Sequence, residues 1–68
     1  MEKIYYSRAF KSDEILESYS SKELMLLGIP ENHHECIMRE WCNKYKTLGC
    51  RVELEMFDGS FPRQIIFS

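Results

Sequence analysis

The segment that decides how this chain folds is SSKELMLLGIP, residues 20–30. Ser20 and Glu23 have the spacing of a capping box, which predicts that a helix begins here. Gly28 suits the left-handed position that follows a helix, and Pro30 prevents the helix from continuing. Residues 24–27 between these signals are all apolar. A short helix cannot bury side chains on every side, so some of them have to face a second layer of the fold or a second molecule.

Residues 3–10, on the N-terminal side of this segment, are rich in aromatic and branched side chains and predict a strand. Arg8 interrupts its apolar residues, which indicates a strand at the edge of a sheet. Ser12 can cap a helix that begins at Asp13. The apolar stripe of this helix would consist of Ile15, Leu16 and Tyr19. Residues 13–27 are therefore expected to form two short helices that meet near Ser20, or one bent helix, and we favour two.

A long helix is predicted on the C-terminal side, from about His33 to Leu48. Asn32 and Glu35 repeat the capping-box spacing at its start, and Gly49 follows its end. Its apolar residues recur at helical spacing and would form one stripe: Ile37, Met38, Trp41, Tyr45 and Leu48. The stripe gives this helix one side that packs on the rest of the domain.

The last third of the chain predicts a β-hairpin. Residues 50–57 alternate between apolar and polar, and Asp58-Gly59 is a strong two-residue turn signal before a returning strand over residues 61–67. That turn would fix the pairing of the two strands as Met56 with Phe61, Leu54 with Arg63 and Val52 with Ile65.

These elements predict one small α+β domain over residues 1–68, in the order β-α-α-β-β. Its sheet would have three mainly antiparallel strands with the helices packed on one face. The chain has 68 residues, of which 44% are apolar and 29% charged, and this composition is typical of a folded globular protein. Because so short a chain buries only about 60% of its unfolded surface, we expect a stability of a few kcal/mol.

Charge and cysteine content indicate a soluble cytoplasmic protein. The net charge of -2 is too small to predict a general affinity for nucleic acid or for membrane surfaces. No apolar run approaches the roughly 18 residues of a membrane helix, and no signal-peptide pattern is present. The odd number of cysteines, Cys36, Cys42 and Cys50, favours free and largely buried thiols in a reducing compartment.

Metal binding and catalysis are not predicted. His33, His34 and Cys36 offer zinc-binding atoms, but Cys36 and Cys42 are six residues apart on a predicted helix and would point to different sides of it. No glycine-rich phosphate loop is present, and a chain of this size has little room for a substrate cleft. We therefore expect no enzyme activity and no cofactor.

Protein binding is the function that the sequence favours. In the short helix, Leu24 and Leu27 can face the sheet, which leaves Met25 and Leu26 pointing sideways or outward. The residues predicted to contact a protein partner are Met25, Leu26, Ile29 and Phe57. The hypothesis is a non-catalytic modulator, inhibitor or adaptor of a larger enzyme or complex, of the kind common among phage and mobile-element regulators. An alternative is a homodimer that buries the same surface against itself.

A nucleic-acid-binding module is the second alternative. Arg39, Asn43 and Lys46 would line one side of the long helix, and Tyr5 would offer a surface on which a base can stack. Glutamates lie between these basic residues, whereas a nucleic-acid-binding surface usually clusters its positive charge. This alternative is therefore weaker than protein binding.

Overall fold

A computed structural model describes residues 3–59 and 63–68, and within these ranges four strands form one antiparallel sheet in the order β2-β1-β3-β4. The strands are β1 Ile4–Lys11, β2 Glu14–Ser20, β3 Arg51–Phe57 and β4 Gln64–Phe67. Helix α1 is Ser21–Leu26 and helix α2 is His34–Thr47, with a 3₁₀ turn over Glu31–His33. The predicted α+β class is confirmed, but the sheet has four strands rather than three, and the order of the elements is β-β-α-α-β-β.

Residues 14–20 form strand β2, so the helix predicted to begin at Asp13 is wrong. Ser12 and Asp13 have φ angles of 53° and 66° and lie between Lys11 and Glu14, which are opposite each other. Two successive residues with positive φ form the kind of turn whose twist matches that of a β-hairpin. This turn sends the chain back along β1, so β1 lies inside the sheet and not at its edge as Arg8 had suggested.

Helix α1 begins and ends at the predicted residues. The Ser20 side chain accepts a hydrogen bond from the Lys22 N–H at 3.2 Å. At the other end Gly28 has a φ of 77°, its N–H donates to the Met25 carbonyl, and the Ile29 N–H donates to the Leu24 carbonyl. This paired pattern is the Schellman motif. The prediction of a new helix start at Ser20 is therefore confirmed, although a strand and not a helix precedes it.

Helix α2 ends as predicted but begins differently. The 3₁₀ turn leads directly into His34, and the residue that caps α2 is His33, whose side chain makes no capping hydrogen bond. The capping role predicted for Asn32 is therefore wrong. At the C-terminal end Gly49 has a φ of 92°, and the Cys50 N–H donates to the Tyr45 carbonyl at 3.0 Å. This glycine-terminated end repeats the geometry that closes α1.

The core lies between α2 and the two central strands. Both helices pack on one face of the sheet, as predicted, because alternate residues of β1 and β3 point toward them. The buried apolar residues are Tyr5, Ala9, Leu24, Met38, Cys42, Cys50, Val52 and Leu54. His34, Met38 and Cys42 recur every four residues and form the buried side of α2. Neither helix of the described ranges is long and apolar enough to span a bilayer.

Strands β3 and β4 pair in a register that differs from the predicted one. The opposing residues are Leu54 and Phe67, Glu55 and Ile65, and Met56 and Gln64. The predicted register required β4 to follow a two-residue turn, whereas β4 begins only at Gln64 and the pairing is interrupted between Leu54 and Glu55. The predicted partner of Met56, Phe61, lies outside the described residues.

Candidate functional site

The C-terminal end of α1 presents three consecutive apolar side chains to solvent. Leu24 is 2% exposed and packs into the core, whereas Met25, Leu26 and Leu27 are 38%, 88% and 72% exposed. Successive helical residues are about 100° apart, so a helix that buries Leu24 turns Met25 and Leu26 away from the sheet. Leu27, predicted to face the sheet together with Leu24, is instead the C-cap residue of α1 and is exposed. We call Met25, Leu26 and Leu27 the α1 patch.

A cavity of about 330 Å³ adjoins the α1 patch. Its lining residues come from the chain on both sides of the turn after α1: Lys3, Met25, Gly28, Ile29, Glu31 and His34. His34 is 1% exposed, and its Nε2–H donates a hydrogen bond to the Ile29 carbonyl at 2.8 Å. The Lys3 N–H donates to Glu31 Oε1 at 3.1 Å. These two bonds connect the cavity wall to α2 and to the start of β1.

The four residues predicted to contact a partner do not lie together. Met25 and Ile29 line the cavity beside α1, and Leu26 is next to them in the α1 patch. Ile29 is half-buried and packs against the core. Phe57 lies opposite Ile4 at the end of β3, on the sheet face away from the helices, because its neighbour Met56 faces the core. The structure therefore separates Phe57 from the other three.

Three of the four residues proposed for nucleic-acid binding make side-chain contacts within the protein. Tyr5 is buried, and its hydroxyl donates to Glu35 Oε1 at 3.3 Å. Arg39 pairs with the other oxygen of Glu35 at 2.9 Å. Lys46 lies 5.3 Å from the centre of the Phe67 ring, and Asn43 is exposed. A buried tyrosine cannot stack on a base, and a paired arginine contributes little net positive charge. Of these four residues, Asn43 and Lys46 are exposed.

The sheet face away from the helices is rich in arginine and aromatic rings, but its charges are paired. Glu55 forms ion pairs with Arg8 and with Arg63, the second at 3.7 Å. Arg51 pairs with Glu53 at 3.2 Å, and its guanidinium lies 4.2 Å from the centre of the Phe10 ring. Each guanidinium group on this face is already close to a carboxylate or a ring, so the positive charges of the face are paired within the protein.

A row of aromatic rings lies between α2 and β2. Trp41 is 4.4 Å from Tyr45 and 6.3 Å from Tyr19 between ring centres, and the planes of Trp41 and Tyr19 differ by only 11°. All three residues are half-buried. We call them the aromatic row. The sequence patterns predict a helix over Tyr19 and so do not indicate this row, and the signal that could have located it is the Ser12-Asp13 turn.

The thiols and imidazoles do not converge. Cys36 is exposed whereas Cys42 and Cys50 are buried, which confirms that most of the thiols are buried. Burial raises the pKa of the Cys42 thiol, and the neighbouring Ser7 hydroxyl offsets only part of the rise. Within residues 3–59 and 63–68, no group of three or more His, Cys, Asp or Glu side chains is arranged to hold a metal ion.

Comparison of the chain with protein-family models, with curated proteins and with solved structures finds no match. The interpretation of its surfaces therefore rests on their geometry and chemistry.

Proposed function

We propose that this protein acts by binding another protein through the α1 patch, as a modulator, inhibitor or adaptor with no catalysis of its own. The observation that carries the proposal is the exposure of Leu26 and Leu27, at 88% and 72%, next to Met25. Burying a leucine side chain is worth about 1.5–3 kcal/mol. A domain with only a few kcal/mol of stability gains nothing from leaving two of them in water, whereas a complex recovers that free energy.

The surroundings of the patch suit a binding surface that is formed before the partner arrives. Hydrogen bonds cap α1 at both ends, so the patch loses little conformational freedom on binding. The adjoining cavity can accept an apolar side chain of the partner. Lys3 and Glu31 at its margin supply polar groups of the kind that surround the apolar centre of protein interfaces.

A paired-variant capture experiment tests this proposal. The double variant Leu26→Asp with Leu27→Asp places charges in the patch, and Leu48→Asp places one on a leucine that is 68% exposed at the end of α2. We expect tagged wild-type protein and Leu48→Asp to retain the same lysate proteins, measured by quantitative mass spectrometry. The double variant should lose them while its circular dichroism spectrum stays unchanged.

If the folded double variant still retains the same proteins, the α1 patch is not the binding surface. Light scattering at two protein concentrations tests the homodimer alternative with the same proteins. A molecular mass that doubles in the wild-type protein but not in the double variant would mean that the patch binds a second copy of this chain.

A further inference from the structure

We propose that β2 binds an extended basic peptide segment, which pairs with its outer edge over residues 17–20 as an additional strand of the sheet. This surface is separate from the α1 patch, and the inference does not depend on the function proposed for that patch. It rests on the free edge of β2, on the charge along that edge and on the aromatic row beside it.

Strand β2 is the end of the described sheet and leaves one side unpaired. It pairs with β1 alone, and its residues from Glu14 to Ser18 are all exposed. Every second residue of an antiparallel strand directs its N–H and C=O away from its neighbour, so an edge strand offers hydrogen bonds to another chain. The register shifts at Leu16, because Ile15 faces Phe10 and Glu17 faces Ala9. The regular part available for pairing is therefore residues 17–20.

The charged residues along this edge determine which kind of peptide can pair with it as a strand. Asp13, Glu14 and Glu17 are exposed and are the only charged residues over residues 12–20. Lysines commonly protect natural edge strands from pairing, and β2 has none. Like charges that face each other across two strands are destabilising, and opposite charges are stabilising. The pairing segment carries one charge, that of Glu17, and a basic peptide would place Lys or Arg side chains next to it.

The aromatic row supplies a surface beside the same residues. Tyr19 belongs to the regular part of β2 and stacks with Trp41, which helix α2 holds above it. The Tyr45 ring is already covered by Lys44, whose Nζ is 5.5 Å from the ring centre. Arginine and lysine side chains gain free energy over aromatic rings, and tryptophan gives the strongest such interaction. A basic side chain of an added strand can therefore contact the carboxylate of Glu17 or the Trp41 ring.

A peptide titration tests the inference with the full chain. The probe is the blocked peptide Lys-Val-Arg-Val-Lys, and the control is Glu-Val-Glu-Val-Glu. Trp41 is the only tryptophan and stacks on Tyr19 of the pairing segment, so its fluorescence is a suitable signal for binding there. We expect a saturable change with the basic peptide, slower amide hydrogen exchange at residues 17–20, and binding of the acidic peptide that is weaker by about tenfold or more.

Two variants make the test specific. Glu17→Lys should weaken binding of the basic peptide by about tenfold and improve binding of the acidic one, because it reverses the only charge in the pairing segment. Glu40→Lys makes the same change of net charge on an exposed position of α2 and should leave both affinities unchanged. The double variant in the α1 patch should bind the basic peptide like the wild type, which separates this inference from the proposed function.

Three results would overturn the inference. The first is the lack of any saturable Trp41 signal up to millimolar basic peptide, and the second is equal affinity for the two peptides. The third is a molecular mass that rises with protein concentration, together with protected β2 amides in the absence of peptide. That result would make a second copy of the chain the occupant of this edge.

Discussion

Two regions of the molecule use their apolar residues in opposite ways. Where α2 crosses β1 and β3, the side chains of Ala9, Met38, Cys42 and Leu54 have no exposed surface. We call this region the core layer. In residues 14–27, which we call the arm, most of the large apolar residues are more than half exposed: Ile15, Leu16, Leu26 and Leu27.

This difference separates the residues that stabilise the fold from those available for binding. Apolar surface contributes to folding in proportion to the area removed from water. We therefore expect the core layer to account for most of the stability, which for a chain of this length is a few kcal/mol. The arm is attached by the β1–β2 pairing, by Leu24 and by the hydrogen bond from the Tyr5 N–H to Ser21 Oγ at 2.9 Å. Its remaining apolar residues are free to contact other molecules.

The largest expected effect comes from truncating a leucine in the core layer. Leu54→Ala removes a side chain with no exposed surface and leaves a cavity between β3 and α2, which costs about 2–5 kcal/mol. That loss is comparable with the whole stability of the domain. We expect the urea midpoint to fall steeply or the folded population to disappear, as measured by circular dichroism. A loss below 1 kcal/mol would contradict the assignment of stability to this layer.

The Tyr5 hydroxyl gives an intermediate and pH-dependent effect. Burial, followed by the nearby charge of Glu35 and its hydrogen bond, raises the pKa of Tyr5 above its ordinary value of 10.0. The stability that this group contributes is therefore fully present below pH 10 and is lost as the pH rises through the raised pKa. Tyr5→Phe should cost about 1 kcal/mol at pH 8, the usual worth of one hydrogen bond.

At pH 11 the difference in unfolding free energy between wild type and Tyr5→Phe should be smaller. The unfolded wild-type chain ionises this tyrosine more readily than the folded chain does, which favours unfolding at high pH. Urea titrations of both proteins at the two pH values provide the measurement. A difference that stays constant or grows with pH would show that the hydroxyl is not held in its neutral form by the fold.

The smallest effect is expected for the matching truncation in the arm. Leu26→Ala removes the same atoms as Leu54→Ala, but from a side chain that is 88% exposed. Surface substitutions of this kind usually change stability by less than about 0.5 kcal/mol. The urea midpoint should therefore be that of the wild type. A loss comparable to that of Leu54→Ala would mean that the arm is part of the core.

The elements predicted correctly from sequence are those whose signals are local. Gly28 and Gly49 end their helices because each lies in the left-handed region at the position after a helix, and these positions can be identified from a few neighbouring residues. The strand over residues 51–57 follows from alternation alone. The exposure of Leu26 follows from the length of α1, because a helix of six residues that packs one side on the sheet leaves its other side in solvent.

The errors arise where one local pattern fits two structures. Ser12 followed by two acidic residues resembles the start of a helix, yet the same Ser12-Asp13 pair adopts positive φ angles and turns a hairpin. Tertiary pairing with β1 decides between them, and that pairing is not visible in a window of ten residues. The aromatic row around Trp41 depends on β2 lying beside β1, and the only local signal of that pairing is the Ser12-Asp13 turn. The position of Phe57 on the sheet face away from the helices follows from the alternation of residues 50–57.

The pairing of β1 with β3 also determines the order in which the chain can assemble. The β1–β2 hairpin joins neighbouring residues and can form in about 1–10 μs. Ile4, by contrast, lies opposite Phe57, so the centre of the sheet joins segments from the two ends of the sequence. Closing so long a loop costs conformational entropy before the contacts between the two strands can form. Non-local contacts of this kind slow folding. We therefore expect the meeting of two locally formed halves to limit the folding rate of this domain.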